Sequence, residues 1–428
     1  MKYKTLLYIL LFAFFAACKP EIDDFAPSKG DADFTRYVAI GSSFTAGFAD
    51  GELYKTAQQY SYPNILASQL QKVGSGTFNQ PLMLDDLGFG SKKVLGYFTD
   101  CLEATSLSPL PAGGTPNVQN FESIKSQGPF NNMGVPGAKS FHLLVEGYGL
   151  RNPYFGRFAT DASSTTVLRD AIVQNPTFFS LGLGDYDVLS YALAGGEADS
   201  ITNPVAFGQY IGYILQQLTA NGAKGVIANV PDITGFPFFT TIPYNGLVLK
   251  EQAKVDALNA AYAVLGISFQ LGENGFIIQD PAAPAGLRQI QAGELLLLTL
   301  PQDSIKCAGW GSQKPIPIKY VLDATEISEI TSAITAYNQT LTTLAGQFGL
   351  AYVDMNAYIK NIANGMVLDG VTFTSKFITG GFFSLDGIHF NPRGAACTAN
   401  FFIEAINLKY NANIPKVNVT NFPGVIFP

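Results

Sequence analysis

The chain has 428 residues, of which 47% are apolar and only 14% carry a charge. This composition supports a sizeable hydrophobic core in one large domain or two ordinary ones, and it excludes disorder over most of the length. The formal net charge of −7 argues against a nucleic-acid partner, because a surface that binds phosphates carries an excess of Lys and Arg.

Residues 1–17 have the pattern of a signal peptide. A cationic start, MKYK, precedes a mostly apolar run (5–17) that is too short to span a bilayer comfortably. The run ends in FAAC, so small residues directly precede Cys18. This ending resembles the lipobox of bacterial lipoproteins, in which the cysteine is acylated and becomes the first residue of the mature protein.

The lipobox resemblance implies an exported protein that is anchored to a membrane through the acyl chains on Cys18. Residues 18–34, which are polar and contain Pro and Gly, then form a tether. Lys19, with no Asp at that position, favours the outer membrane. The alternative is ordinary signal cleavage beside an incidental cysteine.

The remaining cysteines and the histidines limit the chemistry. Cys101, Cys307 and Cys397 are irregularly spaced and include no CxxC pair, so they form at most one disulfide, whose partners the sequence does not indicate. Only two histidines are present, His142 and His389, which excludes an HExxH motif and argues against a metal site.

Apolar runs and amphipathic stretches alternate along the chain. The apolar runs predict buried strands at 36–41, 176–184, 223–230 and 350–355. The amphipathic stretches predict helices at 203–222, 249–266, 325–349 and 391–410. Strands that alternate with helices indicate βαβ crossovers, and the sequence therefore predicts an α/β fold with a central parallel sheet, in one domain over 35–428.

Two stretches, 74–130 and 267–324, break this alternation and are rich in Gly and Pro. We interpret both as long elaborations of the core domain. Long loops of a compact domain often contribute to its functional site.

Four short segments suggest a site, although each alone is more simply a loop. The first, AIGSSFTAG, places Ser42 and Ser43 directly after a predicted strand. Near the other end, SLDGIHFNPRG places Asp386 three residues before His389, a spacing that lets a carboxylate hold one imidazole nitrogen while the other faces outward. Between them lie the Gly-rich NNMGVPGAKS (131–140) and the acidic strand end SLGLGDYDVL (180–189).

Together, in this order, the four segments resemble the motif blocks of the GDSL, or SGNH, family of serine esterases and lipases. The resemblance implies a three-layer α/β/α sandwich with Ser43 as the nucleophile. Asp386 and His389 then take the acid and base positions, and Gly134 takes the position of a backbone oxyanion donor beside the N–H of Ser43.

Two positions depart from the family pattern. Ser42 stands where the family has Asp. Tyr186 stands where the family has the oxyanion asparagine, and a register two residues earlier would place Gly184 there instead. Losing one side-chain donor from an oxyanion hole costs about 10²–10³ in rate, so these departures weaken the catalytic reading without removing it.

The resemblance implies an exported, lipid-anchored serine ester hydrolase with no metal or organic cofactor. Its substrate would be an acyl ester of a lipid or an acetyl ester of a glycan. The alternative is a surface lipoprotein that keeps the fold, binds lipid or glycan, and has lost turnover. The sequence predicts a structural role for His142 and does not indicate an oligomeric state.

Overall fold

The structure, a computed structural model, describes residues 26–428. The predicted signal peptide, Cys18 and the first part of the predicted tether lie outside the described residues. Within 26–428, no helix is both long and apolar enough to cross a membrane.

The strands are short, and each one in residues 26–428 belongs either to one central sheet or to a two-stranded pair. They are β1 Tyr37–Gly41, β2 Lys93–Thr99, β3 Thr105–Pro111, β4 Asn132–Gly134, β5 Phe178–Gly182, β6 Lys224–Ala228, β7 Leu247–Leu249, β8 Gly272–Asn274, β9 Ile277–Gln279, β10 Leu287–Gln289, β11 Leu295–Leu296, β12 Val321–Leu322, β13 Ala351–Val353, β14 Met366–Leu368 and β15 Val371–Phe373.

The α-helices include three long ones, all after residue 200. They are α1 Ser43–Ala46, α2 Lys55–Gln59, α3 Tyr62–Leu70, α4 Pro153–Phe158, α5 Val167–Ile172, α6 Asp185–Leu193, α7 Pro204–Thr219, α8 Pro237–Thr240, α9 Gln252–Tyr262, α10 Gln302–Lys306, α11 Ala324–Gln347, α12 Met355–Ala363 and α13 Pro392–Tyr410.

The central sheet has the strand order β13–β6–β5–β1–β4, and every neighbouring pair is parallel. Four of its strands lie in the four segments where the sequence predicts strands. The fifth, β4, lies in the segment that the sequence showed only as a Gly-rich turn. The predicted fold class is confirmed, because the parallel sheet carries helices on both sides.

Helix packing explains why the strands are apolar throughout. Helices α3 and α13 pack against each other, and α13 also packs on β13 and β6. Helices α7 and α11 form a second packed pair, and α11 also packs against β6 and β13. Because helices cover both sides of the sheet, β1 is buried along its whole length and shows no polar alternation.

The two predicted elaborations lie outside the central sheet. The first contains the antiparallel ribbon β2–β3, and the second contains the pairs β9–β10 and β11–β12. Helix α9, predicted as one of the helices that alternate with core strands, packs instead in a separate apolar cluster with Leu249, Phe269 and Ile277. The second elaboration therefore begins earlier than residue 267, because β7 already belongs to it.

A disulfide between Cys101 and Cys307 joins the two elaborations across 206 residues of sequence. An ion pair between Lys306 and Asp100, at 2.6 Å, lies beside it. Cys397 is a free thiol buried in α13. The disulfide thus connects the two irregular parts of the chain directly to each other.

Replacing both Cys101 and Cys307 by Ser is expected to lower the free energy of unfolding by about 2–4 kcal/mol, because the cross-link restricts a long loop of the unfolded chain. Thermal unfolding with and without dithiothreitol measures this effect. The control variant Cys397→Ala should keep the sensitivity to reductant, whereas the double variant should lose it. Equal sensitivity in all three proteins would contradict the assignment.

Candidate active site

The carboxyl ends of β1 and β5 form a crevice at the centre of the sheet. From β1 the chain moves to β4 on one side, and then crosses to β5 and β6 on the other. Ligands of open parallel α/β sheets bind at such a point, where the connections diverge. Ser43 follows β1 and Asp185 follows β5, so both lie at this crevice.

Three of the predicted site residues meet here in one hydrogen-bonded chain. His389 Nε2 lies 2.8 Å from the Oγ of Ser43, although the two residues are 346 positions apart. His389 Nδ1 lies 2.8 Å from Asp386 Oδ2. With the Nδ1 proton held by the carboxylate, Nε2 is left to accept a proton from the serine hydroxyl.

Asp386 is buried and surrounded by donors. Its Oδ1 accepts the N–H groups of Ile388 and His389, both at 2.9 Å, and the hydroxyl of Ser384 at 2.9 Å. Burial alone would raise the pKa of this carboxyl, but the facing His389 and these hydrogen bonds hold the pKa well below its usual range. Asp386 is therefore ionised at neutral pH.

A loop after α1 supports the Asp386 segment, and sequence reasoning missed it. The N–H of Gly51 donates to Asp386 Oδ2 at 3.1 Å. Asp50 Oδ1 accepts the N–H of Leu385 at 2.8 Å, and the N–H of Asp50 donates to Ser384 Oγ at 2.9 Å. A Gly that follows Asp in a turn was the only available signal, and it is too common to predict a partner more than 300 residues away.

Ser42 occupies the N-cap position of α1 but does not cap the helix. Its hydroxyl instead donates to Asp185 Oδ2 at 2.5 Å, and both side chains are buried. The N–H of Ser43 donates to no oxygen in the described part of the chain. Ser43 is the first residue of α1, so its N–H has no partner within the helix.

Gly134, predicted as an oxyanion donor, is engaged elsewhere. Its N–H donates to Asn132 Oδ1 at 3.0 Å, so this donor already has an acceptor within the protein. A Cβ at Gly134 would come within 2.3 Å of the backbone N of Ala46, so this glycine allows β4 to pack closely under α1.

The free N–H in this turn belongs to Gly137, which the sequence reasoning did not single out. It adopts φ of 78°, and within 26–428 its N–H has no hydrogen-bond acceptor. Asp187 holds the end of the turn, because its carboxylate accepts both the N–H and the hydroxyl of Ser140, at 2.8 and 2.7 Å. In the sequence, the only indication of this free N–H was that Gly137 is the second glycine of GVPG.

Tyr186 lies beside Gly137. A Cβ at Gly137 would be 3.9 Å from Cζ and 4.0 Å from the hydroxyl oxygen of Tyr186. That hydroxyl has no hydrogen-bond partner among the described residues, and burial raises its pKa, so it remains a protonated donor at neutral pH. The alternative position, Gly184, is the N-cap of α6, where a Cβ would come within 2.6 Å of Val230.

Two aromatic rings pack beside the imidazole of His389. The ring centroids of Phe44 and Phe48 lie 4.7 and 4.8 Å from that of His389. Ser43 is only 2% exposed and His389 only 5% exposed. The hydroxyl–imidazole pair is therefore shielded from water by apolar rings.

The other histidine has a structural environment. His142 Nδ1 accepts the N–H of Lys139 at 3.0 Å, and its ring stacks on Tyr148 at 4.5 Å. Burial lowers its pKa to about 4, so it is neutral at physiological pH. Within residues 26–428, no cluster of three or more His, Cys, Asp or Glu side chains could hold a metal ion.

Neither a scan against family models nor a search of curated proteins found a match. Among solved structures, a protein from Desulfitobacterium hafniense described as belonging to the G-D-S-L lipolytic family is 10% identical, with 87% of this chain and 99% of that chain covered and a TM-score of 0.35. An extracellular lipase from Streptomyces rimosus is 11% identical, with 87% and 99% covered and a TM-score of 0.34.

A lipase/acylhydrolase from Enterococcus faecalis is 10% identical, with 89% of this chain and 98% of that chain covered and a TM-score of 0.34. These matches agree with the GDSL family that the sequence motifs resemble. Identities and TM-scores this low are not evidence of activity in this chain.

The buried Asp185 makes stability depend on pH. Burial raises the pKa of its carboxyl to about 6, against the opposing hydrogen bond from Ser42. Since the folded protein then binds this proton more tightly than the unfolded chain, Asp185 costs stability progressively as pH rises from about 4 to about 6. Relative to wild type, Asp185→Asn should gain about 3 kcal/mol in free energy of unfolding over this range.

Urea unfolding of wild type and Asp185→Asn at pH 4, 5, 6 and 7 measures this difference. Asp33→Asn, which alters an exposed carboxyl whose pKa is lowered, is the matched control and should not show a gain of this sign. A difference between wild type and Asp185→Asn that stays constant with pH would show that Asp185 does not titrate in this way.

Proposed function

We propose that this protein is a serine ester hydrolase of the GDSL type, exported and anchored to a membrane through Cys18. The single observation that carries the catalytic proposal is the hydrogen-bonded chain from Ser43 through His389 to Asp386, with 2.8 Å at each link. Nucleophile, base and orienting acid in this order are the arrangement by which serine hydrolases activate a hydroxyl.

In the proposed reaction, His389 Nε2 takes the proton of Ser43 as its oxygen attacks the carbonyl carbon of an ester. The ionised Asp386 stabilises the imidazolium that forms. His389 then protonates the departing alcohol, which leaves an acyl ester on Ser43. A water molecule, deprotonated by the same imidazole, releases the acid and restores the serine.

We propose that the oxyanion is stabilised by the N–H groups of Ser43 and Gly137 together with the hydroxyl of Tyr186. Support comes from the absence of any other acceptor for these three donors in the described part of the chain, and from the contact between Tyr186 and Gly137. Tyr186 would supply the side-chain donor that the family takes from asparagine. Gly134 would act only by supporting α1 from below.

Hydrolysis of p-nitrophenyl acetate and p-nitrophenyl octanoate tests the reaction. Ser43→Ala should lower kcat/KM by about 10⁴-fold or more, since the three residues act as a unit. Tyr186→Phe should lower kcat by about 10²-fold, the cost of one oxyanion donor, and Tyr186→Asn should retain more activity than Tyr186→Phe. Ser42→Thr, which retains a hydroxyl able to donate to Asp185, is the conservative control beside the proposed nucleophile.

A second candidate is a binding protein that keeps this fold without turnover, and the 2% exposure of Ser43 favours it. Labelling with a fluorophosphonate, followed by mass spectrometry of the modified peptide, distinguishes the two. Modification of Ser43 supports the hydrolase. No labelling, together with no hydrolysis by wild type or Tyr186→Asn, would contradict the hydrolase and favour the binding protein.

The proposed location is the outer membrane of the cell envelope. The disulfide between the two elaborations supports export, because such bonds persist in oxidising compartments. Residues 26–34, the described part of the predicted tether, precede the amino end of β1, whereas Ser43 follows its carboxyl end.

Metabolic labelling with palmitate, followed by membrane fractionation, tests the anchor. Wild type should incorporate label and fractionate with the outer membrane, whereas Cys18→Ser should incorporate none. Lys19→Asp should remain labelled but shift to the inner membrane. Label that persists in Cys18→Ser would disprove acylation at that residue.

A further inference from the structure

The ribbon β2–β3 and the short segment after it carry an unusual number of exposed apolar side chains. We call residues 93–121 the apolar ribbon segment. Its exposed large side chains are Val94, Tyr97, Phe98, Leu102, Val118 and Phe121. We propose that this segment docks onto a lipid surface and delivers an ester from that surface to Ser43, an inference that rests on the proposed hydrolase function.

Exposure on both faces of the ribbon is the first observation. Tyr97 and Phe98 are consecutive residues of β2, so their side chains point to opposite faces, and they are 66% and 40% exposed. An antiparallel sheet in water normally packs one face on a core and presents polar side chains on the other. Leu95, on the same face as Tyr97, is buried, so that face packs on the protein only near the base of the ribbon. A lipid layer that surrounds the outer part of the ribbon would cover the exposed apolar side chains of both faces.

The ribbon also carries few charged residues. Within the ribbon, from residue 93 to residue 111, the charged residues are Lys93, Asp100 and Glu103. Asp100 is paired with Lys306, and Lys93 is at the base of the ribbon. The outer part of the ribbon therefore carries one exposed negative charge, Glu103, beside its apolar area, which favours an uncharged or zwitterionic lipid over an anionic one.

The base of the ribbon is attached to the loop that supports the catalytic carboxylate. The N–H of Lys93 donates to the carbonyl oxygen of Asp50 at 2.8 Å. The N–H of Ser91 donates to Glu52 Oε2 at 3.0 Å. Since Asp50 also holds the segment that contains Asp386, the ribbon projects from the edge of the candidate active site rather than from a remote surface.

A row of aromatic rings connects the exposed segment to the imidazole. The centroid of Phe121 is 4.5 Å from that of Phe89, which is 4.8 Å from that of Tyr154. Tyr154 lies 6.3 Å from Phe48, and Phe48 lies 4.8 Å from His389.

Exposure falls along this row, from 59% at Phe121, through half-buried rings, to 5% at His389. The hydroxyl of Tyr154 is bonded to Glu52, so its polar end is already satisfied. An acyl chain that leaves a lipid surface at Phe121 would contact apolar rings along the whole route to His389. This continuity favours lipid over a protein or a second copy of the chain as the occupant.

Tributyrin provides a test in which one molecule serves as both dissolved and aggregated substrate. Wild-type full chain should hydrolyse it about tenfold faster once the concentration passes the solubility limit and an emulsion forms. The double variant Tyr97→Ser/Phe98→Ser should lose this increase and keep the rate on dissolved tributyrin. The matched control Val248→Ser/Val264→Ser, which alters exposed valines of the second elaboration, should behave as wild type.

The outcomes separate this inference from the proposed function. No hydrolysis of dissolved tributyrin by wild type would count against the hydrolase itself. Hydrolysis of dissolved tributyrin with no increase at the solubility limit, or an increase that the double variant retains, would overturn the docking proposal alone.

A binding measurement that does not need catalysis uses the Ser43→Ala chain. The emission of an environment-sensitive fluorophore on Tyr97→Cys should shift to the blue when zwitterionic phosphatidylcholine vesicles are added. The shift should persist in ~1 M salt, because charge interactions are then screened beyond about 3 Å. The same fluorophore on Val264→Cys, a position 94% exposed, should not shift. A shift that depends on protein concentration without vesicles would indicate self-association and would overturn the lipid assignment.

Discussion

The carboxylate of Asp386 is the contact on which the arrangement of this site depends. It accepts donors from its own loop, from the histidine that it orients, and from Gly51 near the other end of the chain. A buried carboxylate is tolerated only when hydrogen bonds and a facing partner replace the water that it loses. The contacts that keep Asp386 ionised therefore also hold the first and last parts of the domain together, and they place His389 within reach of Ser43.

On the opposite side of the crevice, a second buried carboxylate, Asp185, is also held by a hydrogen-bond donor, the hydroxyl of Ser42. Ser42 donates its hydroxyl to Asp185 and does not cap α1, the helix that begins at Ser43. Two buried carboxylates, one on each side of Ser43, thus serve different purposes. Asp386 faces His389 and has a lowered pKa, whereas Asp185 has only a hydroxyl donor and a raised pKa. The two pKa values differ because the facing imidazole stabilises the carboxylate of Asp386, whereas a single hydroxyl donor does not offset the burial of Asp185.

The elaborations connect this site to the surface. The loop that contains Asp50 contacts both the Asp386 segment and the base of the ribbon β2–β3. The disulfide then joins the tip of that ribbon to the second elaboration. In the proposed function, the parts of the chain that depart from the regular α/β pattern would bring an apolar substrate to a site that the regular part holds in position.

Local pattern predicted much of this structure. The strands β1, β5, β6 and β13 and the long helices lie in the predicted segments, because a doubly covered sheet makes each strand apolar and each helix amphipathic. Strand β4 was missed because three residues are too few to show a period. Helix α9 was predicted from the same periodicity but packs in the second elaboration, since periodicity does not say which core a helix covers.

The sequence by itself determined the fold class, and its resemblance to the GDSL motif blocks singled out Ser43, Asp386 and His389 as candidates. Only the tertiary structure decided the directions of individual groups. It showed that the N–H of Gly134 is bonded to Asn132 while that of Gly137 is free, and that Ser42 has a carboxylate partner after β5. A one-dimensional pattern records which residue types are present. The direction of an N–H bond, or the partner of a hydroxyl, depends on backbone angles and on residues far away along the chain.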